Sequence, residues 1–230
     1  FPELGFDEHR TAARIAELLD GFGLSVSRGI GQTGVVGVLR RGTSAKSIAL
    51  RADMDALPIQ ESNAFKHRSE SDGKMHACGH DGHIAMLLGA ARYLAQQGDF
   101  DGQVVFIFQP NEEHGFGAQA MIEDGLFEAN AIDEIYGMHN LPGLPLGTFA
   151  SRPGPITASE SLFEITVRAR GGHAALPHMG VDAITVAAEI VGGLQTIVSR
   201  KLDPGQNGVV SVTEFITDGR RNVLPGQAVL

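Results

Sequence analysis

The sequence predicts an α/β fold: a three-layer domain with a mostly parallel sheet, followed by a smaller, incomplete α+β domain. Three observations lead to this prediction. Strand-like and helix-like segments alternate between residues 7 and 138, as they do in proteins with parallel strand pairing. Residues 103–109 are almost continuously apolar, which is the pattern of a strand covered on both faces of its sheet. After Thr148 the composition becomes rich in Pro and Gly turns, as at a domain junction.

The elements of the first domain follow from hydrophobic periodicity. Ala12, Ile15 and Leu18 recur at helical spacing and would share one helix face. Apolar β-branched runs bounded by turn residues indicate the strands. The predicted elements are, in order, a helix over 7–22, strands over 35–39 and 47–50, a helix over about 83–97, a strand over 103–109, a short helix over 117–123 and a strand over 132–138.

The second domain is predicted from a change of pattern near residue 150. We place the first domain at residues 1–152 and the second at 153–230. Phe163, Ile165 and Val167 alternate with polar neighbours, as in a half-buried strand. The predicted elements are a strand over 162–169, a helix over 181–199, a strand over 208–217 and a strand beginning at 223. This order indicates a small α+β unit that lacks its last elements.

Composition and charge exclude several classes of protein. The 230 residues carry a formal net charge of -9, which argues against binding to nucleic acid phosphates. No apolar run approaches the roughly 20 residues that a membrane span requires. The single cysteine and the absence of a signal-peptide pattern indicate a cytoplasmic protein. The chain begins without Met and ends in an apolar run, so we expect a piece of a longer protein.

A glycine-containing loop carries the only cysteine among several histidines. Cys78 and His80 lie in the segment MHACGHDGH, residues 75–83, which leads into the predicted second helix. Thiolate and imidazole are the ligands that zinc prefers, and a helix N-terminus favours an anionic thiolate. The alternative interpretation is a buried structural cysteine beside loop histidines.

Acids and a further histidine follow the predicted strands. Glu112 and Glu113 come just after strand 103–109, where one carboxylate could bind metal and the other act as a general base. His139 ends strand 132–138, and Asp55 follows strand 47–50, where it could bind metal or orient a ligand histidine. Taken singly, each has a structural alternative. The two glutamates could form a solvated acidic turn, His139 could be a hydrogen-bonded turn histidine, and Asp55 could belong to an Asp-rich turn. Together they lie at one sheet edge, where open α/β sheets bind ligands, and they predict a metal site.

At these residues the sequence resembles the co-catalytic metallopeptidases that include aminoacylases, carboxypeptidase G and the hippurate and auxin-conjugate amidohydrolases. The hippurate and auxin-conjugate branch is the most similar. The matching segments span nearly the whole chain: PELGF (2–6), RADMDALP (51–58), MHACGHD (75–81), QPNEE (109–113), GMHN (137–140), GGHAALPH (171–178) and NVLP (222–225).

The resemblance implies roles for these residues. Two divalent ions, Zn, Mn, Co or Ni, would be held by Cys78, His80, Glu113 and His139, while Glu112 would be the general base that deprotonates a metal-activated water. Many relatives have a ligand histidine where this chain has Asp53, and in this branch Cys78 and His80 take over that work. Asp55 matches an aspartate that we expect to orient a ligand.

The second domain resembles the family's lid and dimerisation domain. This resemblance implies a homodimer in which His173 reaches the partner's active site and stabilises the tetrahedral intermediate. Asn222 matches a residue that holds the substrate carboxylate. The family's last metal ligand, a C-terminal histidine, lies beyond this chain.

The function implied is hydrolysis of the amide bond of N-acyl amino acids, such as hippurate-like, N-acetyl or other acyl-conjugate substrates. Two alternatives stay open. A cysteine hydrolase would use Cys78 as its nucleophile, with a nearby histidine as base. A catalytically incomplete fragment would bind metal or dimerise without turnover.

Overall fold

A five-stranded sheet with helices on both faces forms the first part of the molecule. The structure, a computed structural model, describes residues 1–230, which pack as two units, Phe1–Leu146 and Gly147–Leu230. None of its helices combines the length and the apolar character needed to cross a lipid bilayer. The elements of the first unit are α1 (His9–Gly21), β1 (Ser25–Ile30), β2 (Gly34–Arg41), β3 (Ser47–Asp53), α2 (His80–Gln97), β4 (Gly102–Gln109), α3 (Gly117–Glu123), α4 (Leu126–Ala129) and β5 (Glu134–Gly137).

The sheet has the strand order β1-β2-β4-β3-β5. Strand β3 pairs in parallel with both β4 and β5, whereas β2 pairs antiparallel with β1 and β4. Four strands therefore run in one direction and only β2 opposes them, so the predicted mostly parallel α/β sheet is confirmed. The carboxyl ends of β3, β4 and β5 lie at one edge of the sheet.

Strand β4 is buried on both faces, as its apolar sequence predicts. Phe106 and Phe108 face a core layer that contains Ile15 and Leu19 of α1 and Leu87 of α2. Val105 and Ile107 face the opposite layer, which contains Met121 of α3 and Leu126 of α4. Because successive side chains of a strand point to opposite faces, this one strand supports both helix layers.

One helix boundary and one additional strand differ from the sequence prediction. Helix α2 begins at His80, not near residue 83, because Gly79 adopts a left-handed φ of 89° that turns the loop directly into the helix. Strand β1 was missed, since Ser25–Ile30 is an exposed edge strand containing Ser, Arg and Gly and has no apolar alternation.

The N-terminus of α1 is capped from a distance by Glu3. Its carboxylate accepts hydrogen bonds from the backbone N–H groups of Arg10 (3.0 Å) and Thr11 (2.7 Å) and from the Thr11 hydroxyl (2.7 Å). Burial alone would raise the pKa of Glu3, but these hydrogen bonds outweigh it and lower the pKa below its ordinary 4.5. Glu8, at the start of the helix, makes no such cap.

Replacement of Glu3 by Gln should therefore destabilise the protein in a pH-dependent way. We expect a loss of about 1 kcal/mol at neutral pH, as for other helix caps. Because the pKa of Glu3 is lower in the folded protein than in the unfolded chain, its ionised carboxylate stabilises the folded state at pH values above the unfolded pKa. This stabilisation is lost as the pH falls below 4.5 and through the folded-state pKa. Urea unfolding of the two proteins at pH 7 and below pH 4.5 tests this, and a difference independent of pH would contradict it.

The second unit is a small α+β arrangement around one helix. Its elements are β6 (Thr166–Arg168), β7 (Gly172–His173), a 3-10 turn (Pro177–Met179), α5 (Ala183–Thr196), a π-helical turn (Ile197–Lys201), β8 (Ile216–Thr217), β9 (Val223–Leu224) and β10 (Gln227–Val229). A three-stranded sheet has the order β6-β10-β8, and β7 pairs with β9. Ala183 and Ala187 of α5 pack against Ala228 of β10, and this contact forms the core.

The strand predicted over residues 208–217 is wrong for most of its length. Only Ile216 and Thr217 pair with β10, while Val209 is 86% exposed. Apolar β-branched residues there satisfy the strand pattern, but a strand also needs a neighbour to bond to, and residues 208–215 have none.

Candidate metal centre

The side chains singled out in the sequence as ligands, general base or neighbouring acids gather at the carboxyl edge of the sheet. Strands β3, β4 and β5 end there, and helix α2 begins there. This geometry brings together four stretches that are far apart in the chain. The residues concerned are Asp53 and Asp55 after β3, Cys78 and His80 at the start of α2, Glu112 and Glu113 after β4, and His139 after β5.

Both candidate ligand histidines present Nε2 to the cluster. His80 donates from Nδ1 to the carbonyl oxygen of Asp55 at 2.9 Å, and His139 donates from Nδ1 to the carbonyl oxygen of Asn140 at 2.7 Å. A carbonyl oxygen only accepts, so Nδ1 carries the proton and the neutral ring has its lone pair on Nε2. His139 Nε2 lies 3.3 Å from Cys78 Sγ. Such hydrogen bonds at the opposite nitrogen are how proteins orient ligand histidines.

His80 Nε2 also faces the acid pair. It lies 3.9 Å from a carboxylate oxygen of Glu112 and 3.8 Å from one of Glu113. His80 is fully buried, yet neither its Nε2 nor Glu113 Oε1 has a hydrogen-bond partner. Buried polar atoms without a partner are rare in native proteins, and a cation bound between these two atoms would give both of them a partner.

Asp55 ties the histidine to the acid loop. One of its carboxylate oxygens lies 3.3 Å from His80 Nδ1, and the other accepts a hydrogen bond from the backbone N–H of Glu113 at 3.0 Å. Burial alone would raise the pKa of Asp55, but these hydrogen bonds bring the pKa below its usual range. Asp55 is therefore an ionised acid placed behind His80, where it orients the ring.

Asp53 is engaged differently. Its carboxylate pairs with Arg51 at 2.6 Å and contacts His83 Nδ1 at 2.6 Å. These groups, with His80, lower the pKa of Asp53 although burial opposes the shift. The sequence analysis did not single out His83, although its position one helical turn after His80 places it on the same face of α2.

The electrostatic field of the cluster favours a cation. Burial, with Glu112 and Asp55, raises the pKa of Glu113. Burial alone would lower the pKa of His80, but Asp55, Asp53 and Glu113 raise it overall. Burial and the carboxylates of Glu113, Glu112 and Asp53 raise the pKa of the Cys78 thiol to about 11. A catalytic cysteine needs a lowered pKa, so this environment opposes a cysteine nucleophile and requires a positive charge for a thiolate.

The spacing fits metal coordination. Ligand atoms of Cys78, His80 and His139 lie within 4.8 Å of one another, as do those of His80, Glu112 and Glu113. Ligands bound tetrahedrally to zinc at about 2.0–2.3 Å are roughly 3.3–3.8 Å apart. The separations of 3.3 Å for Cys78 and His139 and 3.8 Å for His80 and Glu113 are close to this range.

Glu8 supports the acid loop and was also missed by the sequence analysis. Its fully buried carboxylate accepts hydrogen bonds from the Thr33 hydroxyl at 2.5 Å and from the backbone N–H of Asn111 at 2.8 Å. Asn111, just before Glu112, has a left-handed φ of 44°. A Cβ on Gly5 would lie 2.0 Å from the Asn111 side chain, so the N-terminal segment and this loop fit only with glycine at position 5.

His173 and Asn222 lie together in the second unit. His173 pairs with Val223 across strands β7 and β9, and the Ala174 N–H donates to the carbonyl oxygen of Asn222 at 3.0 Å. The Ala175 N–H donates to His173 Nδ1 at 3.1 Å. The proton of the neutral ring is therefore on Nε2, on an exposed side chain.

A Cys–His cluster beside paired acids, at the carboxyl edge of an α/β sheet, combines the ligand types of a transition-metal site with the location where such sheets bind ligands. The model of Peptidase family M20/M25/M40 matches residues 49–216, and the chain belongs to this family. The family resemblance drawn from the motifs is confirmed, and the relatives in this family are hydrolases.

Relatives agree with this assignment. The chain is 47% identical to the hippurate hydrolase of Campylobacter jejuni, over 100% of this chain and 60% of that protein. It is 43% identical to the N-acyl-L-amino acid amidohydrolase of Geobacillus stearothermophilus, over 98% of this chain and 61% of that protein. The crystal structure of the Bacillus subtilis YXEP protein, a dinuclear metal binding peptidase from the M20 family, matches with a TM-score of 0.68 at 36% identity, covering 99% of this chain and 58% of that one. The chain thus spans about 60% of the length of these relatives.

Proposed function

We propose that this chain supplies metal-binding and proton-transfer groups of an amidohydrolase that cleaves the amide bond of N-acyl amino acids. One observation carries the proposal. His80, whose buried Nε2 has no hydrogen-bond partner, belongs both to a group with Cys78 and His139 and to a group with Glu112 and Glu113. The names of the hippurate hydrolase and N-acyl-L-amino acid amidohydrolase relatives support the substrate class.

The proposed ligands are Cys78, His80, Glu113 and His139, holding two divalent ions. The dinuclear metal binding relative supports the number of ions. Thiolate and imidazole suit zinc, while the same nitrogen and oxygen donors also accept manganese, cobalt and nickel. The fit to the ions rests on the two buried atoms without partners and on the ligand spacing described above.

Glu112 is the proposed general base. Its side chain is 41% exposed, compared with 16% for Glu113, so Glu112 is the acid better placed to meet a substrate. Bound divalent ions would polarise the scissile carbonyl and bring the pKa of a water towards neutrality. A Glu112 carboxylate oxygen then accepts the proton of the attacking water and passes it to the leaving nitrogen.

The second unit supplies the remaining proposed groups. The exposed Nε2–H of His173 is a suitable donor to the charge that develops on the carbonyl oxygen, offered from the partner subunit of a homodimer. The Asn222 side chain would hold the substrate carboxylate. A cytoplasmic location completes the proposal.

Removal of metal should abolish hydrolysis. After exhaustive dialysis of the complete protein against a chelator, we expect turnover of hippurate and N-acetyl amino acids to fall to background. The loss is expected because Glu112 cannot deprotonate a water efficiently near neutral pH unless a metal lowers the pKa of that water. Addition of zinc or manganese should therefore restore turnover.

Iodoacetamide separates this mechanism from a cysteine hydrolase. Bound metal should protect Cys78 from alkylation, whereas the metal-free protein should react increasingly as the pH rises towards the thiol pKa of about 11. Full activity in the metal-free protein, lost on alkylation, would instead identify Cys78 as the nucleophile and sink the metal-dependent proposal.

A further inference from the structure

Both ring nitrogens of His83 are occupied by hydrogen bonds. Asp53 lies 2.6 Å from Nδ1, and the backbone N–H of Asn140 donates to Nε2 at 2.9 Å. A backbone N–H only donates, so Nε2 must present its lone pair and the ring proton must be on Nδ1, directed at Asp53. His83 is 2% exposed, so no solvent competes for either nitrogen. The ring is held in one neutral tautomer.

This arrangement removes His83 from the possible ligands. Asp53, His80 and His83 form a third buried group with ligand spacing. An ion there would need a lone pair on His83, and the only one accepts the hydrogen bond from Asn140. It would also compete with Arg51 for Asp53. His83 therefore has a different task from His80, although both lie on one face of α2.

The hydrogen bond from Asn140 connects His83 to two proposed ligands. Asn140 directly follows His139, and its side-chain amide donates to the carbonyl oxygen of Gly79 at 3.3 Å. Gly79 directly follows Cys78, and a Cβ on Gly79 would lie 2.0 Å from the Asn140 amide nitrogen. Asn140 is thus hydrogen-bonded through its backbone to His83 and through its side chain to Gly79. These two contacts hold the loop of His139 against the loop of Cys78.

We propose that His83 is a positioning residue that sets the metal affinity of the Cys78–His139 pair. Its Nε2 lone pair holds the Asn140 backbone, and this contact keeps Cys78 Sγ and His139 Nε2 at the 3.3 Å separation that a shared ion needs. The inference rests on the proposed function, because it assumes that these two side chains bind metal.

Two substitutions separate the contacts of His83. In His83→Gln, the side-chain oxygen reaches the place of Nε2 and can accept from Asn140. In His83→Asn, the amide reaches only the place of Nδ1, so the contact with Asp53 survives and the contact with Asn140 is lost. Residues that orient a metal ligand through hydrogen bonds typically contribute about 10–100-fold to metal affinity. We therefore expect the zinc affinity of one ion site to fall by this factor in His83→Asn and to be largely restored in His83→Gln.

The measurement is zinc affinity by competition with a chromophoric chelator, combined with elemental analysis, on the complete protein. Thermal unfolding of the metal-free variants reports any general loss of packing. His67→Asn, at an exposed histidine, is the matched control and should bind zinc like the wild type.

The outcomes are distinct. Equal zinc affinity in the Asn and Gln variants, whether lowered or unchanged, would overturn the positioning role while leaving the proposed function intact. A wild-type protein that binds no divalent metal would overturn both. Weaker zinc binding in His83→Asn than in His83→Gln, at similar metal-free stability, would support the positioning role.

Discussion

Glu112→Gln in the complete protein should lower kcat for N-acyl amino acid hydrolysis by roughly 10²–10⁴-fold, the usual contribution of a general acid–base group. Glutamine keeps the volume and hydrogen-bonding reach of the side chain but cannot take up the proton. Because Glu112 is the more exposed acid and Glu113 the proposed ligand, metal content should stay at the wild-type level. Steady-state kinetics and elemental analysis on the same sample measure both quantities.

Glu128→Gln is the matched control, since Glu128 is an exposed acid on α4 away from the proposed ligands. It should leave kcat and metal content unchanged. Near wild-type turnover by Glu112→Gln would show that the base is another group. Loss of metal together with turnover would show that Glu112 is itself a ligand.

His80→Ala should cause the largest loss of metal among single substitutions. His80 is the one residue common to all three groups with ligand spacing, and it is fully buried. Its removal also takes away the imidazole nitrogen that lies 3.8 Å from Glu113 Oε1. We expect a decrease in zinc affinity larger than the roughly 10–100-fold seen when a partner behind a ligand is removed.

Zinc competition and elemental analysis again provide the measurement. His67→Ala, at an exposed histidine, controls for the loss of an imidazole elsewhere. Metal content and affinity equal to the wild type in His80→Ala would contradict the placement of His80 at the centre of the site. Circular dichroism of the metal-free variant separates this result from unfolding.

The grouping of these side chains could be predicted because the carboxyl ends of neighbouring parallel strands lie at the same edge of a sheet. Residues that follow β3, β4 and β5 must meet at one edge, so Glu112, Glu113 and His139 could be grouped from sequence. The buried strand β4 was equally predictable, because only a strand covered on both faces is continuously apolar. The α/β class followed from this strand together with the alternation of strand-like and helix-like segments along the chain.

Other features depend on contacts that no local pattern records. The bond between Asp53 and His83 joins residues 30 positions apart, and that between Glu8 and Asn111 joins residues 103 positions apart. Strand β1 carries no apolar alternation because it is an exposed edge. The false strand at 208–215 shows the converse error, since suitable residues there lack a neighbour to pair with.

The buried carboxylate of Glu8 limits how this molecule can be dissected. It connects the residue just before α1 to the backbone just ahead of Glu112. A shortened form starting after residue 8 would strand the Asn111 amide and the Thr33 hydroxyl without their shared acceptor. Deletion of the amino-terminal residues would thus alter the backbone about a hundred residues downstream, next to Glu112, the proposed general base.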